Sequence, residues 1–142
     1  MRGDPIARTK DVLIVEDDDR LREILEELLS GAGYRPIAVQ DGREALDWLS
    51  RMPVDLMILD LLLPHLDGRQ LIARVRKTPQ WSAVPIIVLS GYAGASRYRD
   101  LPVQAVQTKP FELRELLGTI HQLIGAPGTD PGPAVDGGRR AG

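Results

Sequence analysis

Leu56-Met57-Ile58-Leu59 is an unbroken apolar run that stops abruptly on Asp60, with Pro53 before it and Pro64 after it. Val12-Leu13-Ile14-Val15 and Ile86-Ile87-Val88-Leu89 are built the same way. Runs this short, with no polar alternation, read as strands covered on both faces, which is the pattern of a parallel sheet. Each run also ends on polar residues: Glu16-Asp17-Asp18-Asp19, then Asp60, then Ser90-Gly91. In open parallel sheets ligands bind just beyond the carboxyl ends of the strands. The pattern therefore demands helices on both faces and carries a set of polar side chains to one rim.

The intervening segments supply the helices. Leu21, Ile24, Leu25, Leu28 and Leu29 follow helical spacing, with Arg20, Arg22, Glu23, Glu26 and Glu27 on the other face and Gly31 and Gly33 as the stop. Tyr34 to Val39 is a short strand, and Pro36 assigns it to a sheet edge because proline cannot donate to a ladder. Asp41 caps a second helix, with Glu44 reaching back, and Ala45, Leu46 and Leu49 face inward with Trp48 beside them. Asp67 caps a third helix, Gly68 to Lys77, which buries Leu71, Ile72 and Val75. The segment Gly91 to Leu101 has little apolar periodicity and predicts at most a short helix. Val103 to Gln107 is a fifth strand. The last helix, Phe111 to Ile124, buries Leu113, Leu116, Leu117, Ile120, Leu123 and Ile124. The class is α/β: a doubly wound five-stranded parallel sheet with helices on both faces. Residues 1–10 read as a disordered lead-in, 11–124 as one domain, and 125–142 as a flexible Pro/Gly-rich tail.

Composition narrows the function. The 142 residues suffice for one domain with a real core. A net charge of −2 provides no basic field for nucleic acid, and 4 % aromatic residues provide no stacking platform for bases. The absence of cysteine excludes disulfides, thiolate metal sites and thiol nucleophiles. No signal peptide and no membrane-spanning run is visible, so the default location is the cytoplasm.

The strand ends bring together Glu16, Asp17, Asp60, Ser90 and Lys109. Clustered carboxylates repel one another unless protons or a cation compensate them. Oxygen ligands suit a hard cation, and Mg²⁺ is the one that works with phosphate. A hydroxyl and an ammonium opposite the carboxylates suit the oxygens of a phosphoryl group. An Asp is then available as the attacking oxygen. Taken singly, each residue has a plainer explanation: the acidic run as a dipole-favoured helix start, Ser90 as a loop residue, Lys109 as a surface charge. Their joint position at successive strand ends is what argues for a site. His65 and His121 carry no motif.

At this point the chain resembles the receiver domain of two-component response regulators. The matching stretches are Val12 to Asp17, Asp41 to Leu46, Leu59 to Pro64 with Asp67-Gly68, Val88 to Gly91, and Thr108 to Phe111, spanning about Lys10 to Ile124. The resemblance implies a flavodoxin-like strand order 2-1-3-4-5. It implies that Asp60 accepts a phosphoryl group from the phosphohistidine of a histidine kinase or histidine phosphotransfer protein, with self-catalysed acceptance and hydrolysis as the only enzymatic acts. It also implies that Asp17, Asp60 and the Leu62 backbone carbonyl hold Mg²⁺, with Glu16 acting through a metal-bound water. Ser90 and Lys109 would contact the phosphoryl group, and the Lys109-Pro110 bond would be cis. Partners would be a kinase, an unknown downstream protein and, in some receivers, a second copy.

Two departures stand out. Val106 occupies the position three before the lysine where receivers usually carry an aromatic switch, and the segment between Ser90 and Lys109 is short. Leu62 and Tyr92, two positions after Asp60 and Ser90, cannot act as general bases near neutral pH, so a long-lived phosphoryl state is expected. With no effector domain after Ile124, a stand-alone receiver is expected, with a receiver module of a hybrid histidine kinase as the alternative. An aspartate-nucleophile phosphatase of the haloacid dehalogenase type would need a second Asp at position 62, where Leu62 stands. A binding-only pseudo-receiver fits less well, because the site is complete.

Overall fold

The computed structural model describes residues 9–61, 67–91 and 100–127. In chain order the elements are β1 (Asp11–Val15), α1 (Asp19–Gly31), β2 (Arg35–Val39), α2 (Gly42–Leu49), β3 (Leu56–Asp60), α3 (Gly68–Lys77), β4 (Ile86–Ser90), β5 (Ala105–Thr108) and α4 (Leu113–Ile124). All strand pairings are parallel and the sheet order is β2-β1-β3-β4-β5. Pro36 does lie in an edge strand, aligned with Val12.

Alternation along each strand divides the core into two layers. Leu13, Val15, Met57, Leu59, Ile86 and Val88 face α2 and α3, where they meet Ala45, Leu49, Leu71, Ile72 and Val75. Val12, Ile14, Leu56, Ile58, Ile87 and Leu89 face α1 and α4, where they meet Leu25, Leu29, Leu116, Ile120 and Ile124. β3 is central, all five of its residues are buried, and it delivers Asp60 to the rim.

Caps fix where the helices begin. Asp18 accepts from the N–H groups of Arg20 and Leu21, Asp41 from Glu44, and Asp67 from Arg69. Gln70 completes a capping box with Asp67. Glu44 reaches back one residue further than a capping box requires, to the Gln40 N–H at 2.8 Å.

Several expectations shift. Tyr34 is buried but precedes β2, and β5 begins at Ala105 rather than Val103. Leu113 opens α4 and stays 38 % exposed, because a first-turn residue stands at the helix end rather than over the core. Ile24 is 39 % exposed. At about 100° per residue, Ile24 sits on one flank of Leu25, while Arg22 sits about 60° away on the other flank, the side of Leu29. α1 is rolled toward Arg22, so the inward face is not centred on the apolar stripe.

Lys10 is a further correction, since it belongs to the fold and not to a lead-in. It is 1 % exposed, and its Nζ donates to the carbonyls of Ile124 (2.6 Å) and Ala126 (2.9 Å). Tyr34 Oη donates to the Gly125 carbonyl at 2.7 Å. A helix C-terminus leaves carbonyls without intrahelical partners, and these donors satisfy them. Lys10→Met should remove two charge-assisted bonds, one of them to the buried Ile124 carbonyl, costing about 2 kcal/mol. The thermal midpoint should fall by roughly 5–10 °C. A midpoint that does not move would show that Lys10 contributes nothing to closure of the fold.

Candidate functional site

The register of β1 and β3 places Val15 beside Leu59, so the next residue on each chain brings Glu16 beside Asp60. Glu16 continues the β1–β2 ladder with its N–H on the Val39 carbonyl at 3.1 Å. The carboxylates of Glu16, Asp17 and Asp60 each offer an oxygen within 4.8 Å of the others. Glu16 and Asp60 are buried and Asp17 is exposed, so the cluster has a buried floor and an open mouth.

Ser90 ends β4, one strand over, and is also buried. Its carbonyl accepts from the Lys109 N–H at 2.8 Å, which carries the β4–β5 pairing one step past β5 and brings Lys109 to the rim. Lys109 Nζ donates to Asp60 Oδ2 at 2.8 Å, and the Lys109-Pro110 bond is cis, as the resemblance implied.

Beyond Asp60 the chain is held by main-chain bonds. Leu61 donates to the Leu89 carbonyl at 3.4 Å and accepts from the Gly68 N–H at 3.0 Å. A Cβ on Gly68 would come within 2.7 Å of Leu61 Cα, so glycine is required there by space rather than by conformation.

Burial pushes the Glu16 carboxyl up to about 7; the Asp18 N–H opposes the rise and the Asp60 charge adds to it. Burial works against the Lys109 ammonium, but the hydrogen bond and charge of Asp60 outweigh it and hold Lys109 above the usual lysine value. Glu16 Oε1 and Ser90 Oγ are buried with no hydrogen-bond partner among the described residues. Three carboxylates share a single nearby ammonium, Lys109, and leave one buried oxygen without a hydrogen bond, so a divalent oxygen-seeking cation fits the site. The unused Ser90 hydroxyl is a donor in reserve beside the same cluster.

The acidic run divides its work. Glu16 and Asp17 join the cluster, Asp18 caps α1 and also donates its N–H to Glu16 Oε2 at 3.1 Å, and Asp19 pairs with Arg22. The helix-start explanation therefore holds for Asp18, whereas Glu16 and Asp17 belong to the carboxylate cluster instead.

Sequence reasoning missed Arg22. Helical periodicity puts it on the solvent face of α1, yet its Nη1 donates to the Glu16 carbonyl at 2.9 Å and its side chain is only 15 % exposed. Val106 is half-buried in β5 beside Val88 and packs on the α2–α3 side. His121 is exposed, with its ring 5.8 Å from that of Tyr34. Leu62, His65 and Tyr92 lie outside the described residues, as does most of Gly91 to Leu101. No described helix is long and apolar enough to cross a membrane.

Residues 12–121 match the response regulator receiver domain family. Response regulator MprA of Mycobacterium sp. (strain KMS) is 35 % identical over 125 residues, which make up 86 % of this chain and 54 % of that protein. The chain thus spans about half the length of the curated relatives it matches. Among solved structures, the signal receiver domain of a signal transduction histidine kinase from Syntrophus aciditrophicus superposes with a TM-score of 0.79 at 28 % identity, covering 90 % of this chain and 98 % of that one. The receiver domain of sensor histidine kinase PA1611 from Pseudomonas aeruginosa PAO1, with a magnesium ion coordinated in its active site cleft, gives 0.76 at 28 % identity over 84 % and 100 %. The family match, the parallel sheet of order 2-1-3-4-5 and the acidic rim agree: this chain belongs to the response regulator receiver domains of two-component signalling.

Proposed function

We propose that this receiver accepts a phosphoryl group on Asp60 in a Mg²⁺-dependent reaction, with a histidine kinase or histidine phosphotransfer protein as donor. The observation that carries the reading is the 2.8 Å contact of Lys109 Nζ with Asp60 Oδ2 at the edge of the three-carboxylate cluster. In the reaction a carboxylate oxygen of Asp60 attacks phosphorus. The P–N bond of the donor phosphohistidine breaks, and its electron pair leaves on the imidazole nitrogen, which then takes up a proton. Lys109, already on Asp60, neutralises a transferred oxygen. Ser90 donates its unused hydroxyl to another. Glu16, Asp17 and Asp60 would hold the cation, with the Leu62 carbonyl as the further ligand that the family resemblance implies. When bound, Mg²⁺ offsets the carboxylate charge and the charge on the phosphoryl oxygens.

Output then passes by protein contact or phosphorelay to a downstream protein. A second reading, a receiver module within a hybrid histidine kinase, is favoured by the histidine kinase receivers among the similar structures.

Acetyl phosphate can replace the protein donor in the test. With Mg²⁺, intact mass should show one added phosphoryl group; with EDTA in place of Mg²⁺, none. Labelling that proceeds unchanged in EDTA would sink the metal dependence. Phosphotransfer from a panel of histidine kinases, read by the same mass shift, then identifies the donor class.

A further inference from the structure

We propose that Arg22 is a positioning residue for the divalent cation: it holds the short β1–α1 connection in the shape the three carboxylates need. The proposal rests on the reading of Glu16, Asp17 and Asp60 as the cation site.

Glu16 and Asp17 sit on a connection of three residues, 16–18, between the last residue of β1 and the first of α1. Mutual repulsion with Asp60 acts to drive this connection outward when no cation is present. Two bonds to the Glu16 main chain oppose that movement. On one side the Glu16 N–H is tied to the Val39 carbonyl at 3.1 Å. On the other, the Glu16 carbonyl is tied to Arg22 Nη1 at 2.9 Å. The side chain is restrained too, because Oε2 accepts from the Asp18 N–H at 3.1 Å. What remains is Oε1, buried and without a partner among the described residues. The main-chain grip thus fixes the direction of the one acceptor left for a ligand.

Arg22 suits this task through its planar fork. One arm takes the Glu16 carbonyl while the other pairs with Asp19, itself 84 % exposed. The pairing with Asp19 locks the guanidinium plane, so the first arm is aimed rather than free. Of the two side-chain bonds described for Arg22, one goes to the connection and the other to Asp19 at the start of α1; neither goes to a cluster carboxylate.

The sign of the charge makes the proposal testable. A guanidinium beside a cation site disfavours the cation by Coulomb repulsion. Removing it should tighten Mg²⁺ if charge were its only contribution. A positioning residue predicts the opposite.

Mg²⁺ binding to the full chain would be measured by isothermal titration calorimetry at fixed ionic strength, for the unsubstituted protein and for Arg22→Gln. Melting in EDTA and far-UV circular dichroism would be recorded alongside. The expected result is affinity about tenfold weaker, the range for residues that orient ligands without touching the metal. Helical content should not change. Arg22→Lys keeps the charge and one donor and should recover part of the loss. Affinity in Arg22→Gln equal to or tighter than the unsubstituted protein overturns the proposal. If Arg22→Gln does not fold, Arg22→Lys decides alone: severalfold weaker binding supports positioning, and unchanged binding overturns it. Asp17→Asn separates the underlying reading. If it binds Mg²⁺ as tightly as the unsubstituted protein, or if that protein binds none, the cation-site assignment itself falls and the proposal with it.

Discussion

Asp60→Asn will take no phosphoryl group from acetyl phosphate and Mg²⁺ under conditions that label the unsubstituted protein. The side chain keeps its shape, so the fold around it has no reason to change. The chemistry does change. A carboxylate oxygen carries the negative charge that attacks phosphorus, whereas an amide oxygen is neutral and a poor nucleophile. Asp60 is also one of the three carboxylates within 4.8 Å, so on the proposed reading the substitution removes an oxygen that would hold the cation as well as the one that would attack. Lys109 loses the charged partner it contacts at 2.8 Å. The effect is therefore complete loss of labelling by intact mass, and it carries a second signature. Anything that binds the native state alone stabilises it by mass action. Mg²⁺ should raise the melting temperature of the unsubstituted protein and leave that of Asp60→Asn nearly unmoved. Labelling of the variant at the parental level would place the phosphoryl group elsewhere.

What could be read in the sequence follows from how local each signal is. The strands β1, β3 and β4 were legible because burial on both faces forces continuous apolar runs. The rim residues were legible because such runs end abruptly. β5 was placed two residues early because Ala105–Thr108 is half-buried and carries Gln107, so no apolar run marks its start. Arg22 was not legible. Helical periodicity gives the spacing of a stripe but not the roll of the helix on the sheet, and the roll of α1 turns Arg22 inward and Ile24 outward. Lys10 was hidden for a different reason: its acceptors lie 114 and 116 residues away, and nothing around Lys10 itself announces them. Asp67-Gly68 was visible as a cap and a helix start, but the close approach of Leu61 to Gly68 is a tertiary fact.

That approach leads to the second large effect, Gly68→Ala. No positive φ is involved, so the backbone conformation is open to alanine. The obstacle is space. A Cβ would stand 2.7 Å from Leu61 Cα, 2.8 Å from its carbonyl oxygen and 3.0 Å from its carbonyl carbon. All three are main-chain atoms, which cannot rotate aside. Relief requires α3 to move away from β3 or Leu61 to move toward β4, and Leu61 is tied to Leu89 on that side and to Gly68 itself on the other. Overpacking against backbone should cost about 3 kcal/mol, a fall in melting temperature of roughly 10 °C. Leu61 is covalently next to Asp60, so the strain reaches the site. Displacement of a reacting group by about 1 Å can cost on the order of 100-fold in rate, and phosphorylation should slow even at temperatures where the variant is folded. Gly118→Ala is the matched control. Gly118 lies in α4 with nothing within 4 Å of the added Cβ, and removing a glycine from a helix interior should stabilise by up to about 1 kcal/mol. The two glycine-to-alanine changes should therefore move the melting temperature in opposite directions. A Gly68→Ala protein that melts with the parent and is labelled at the parental rate would mean that Leu61 and α3 can separate freely, and that the rim of β3 is not held from below by Gly68.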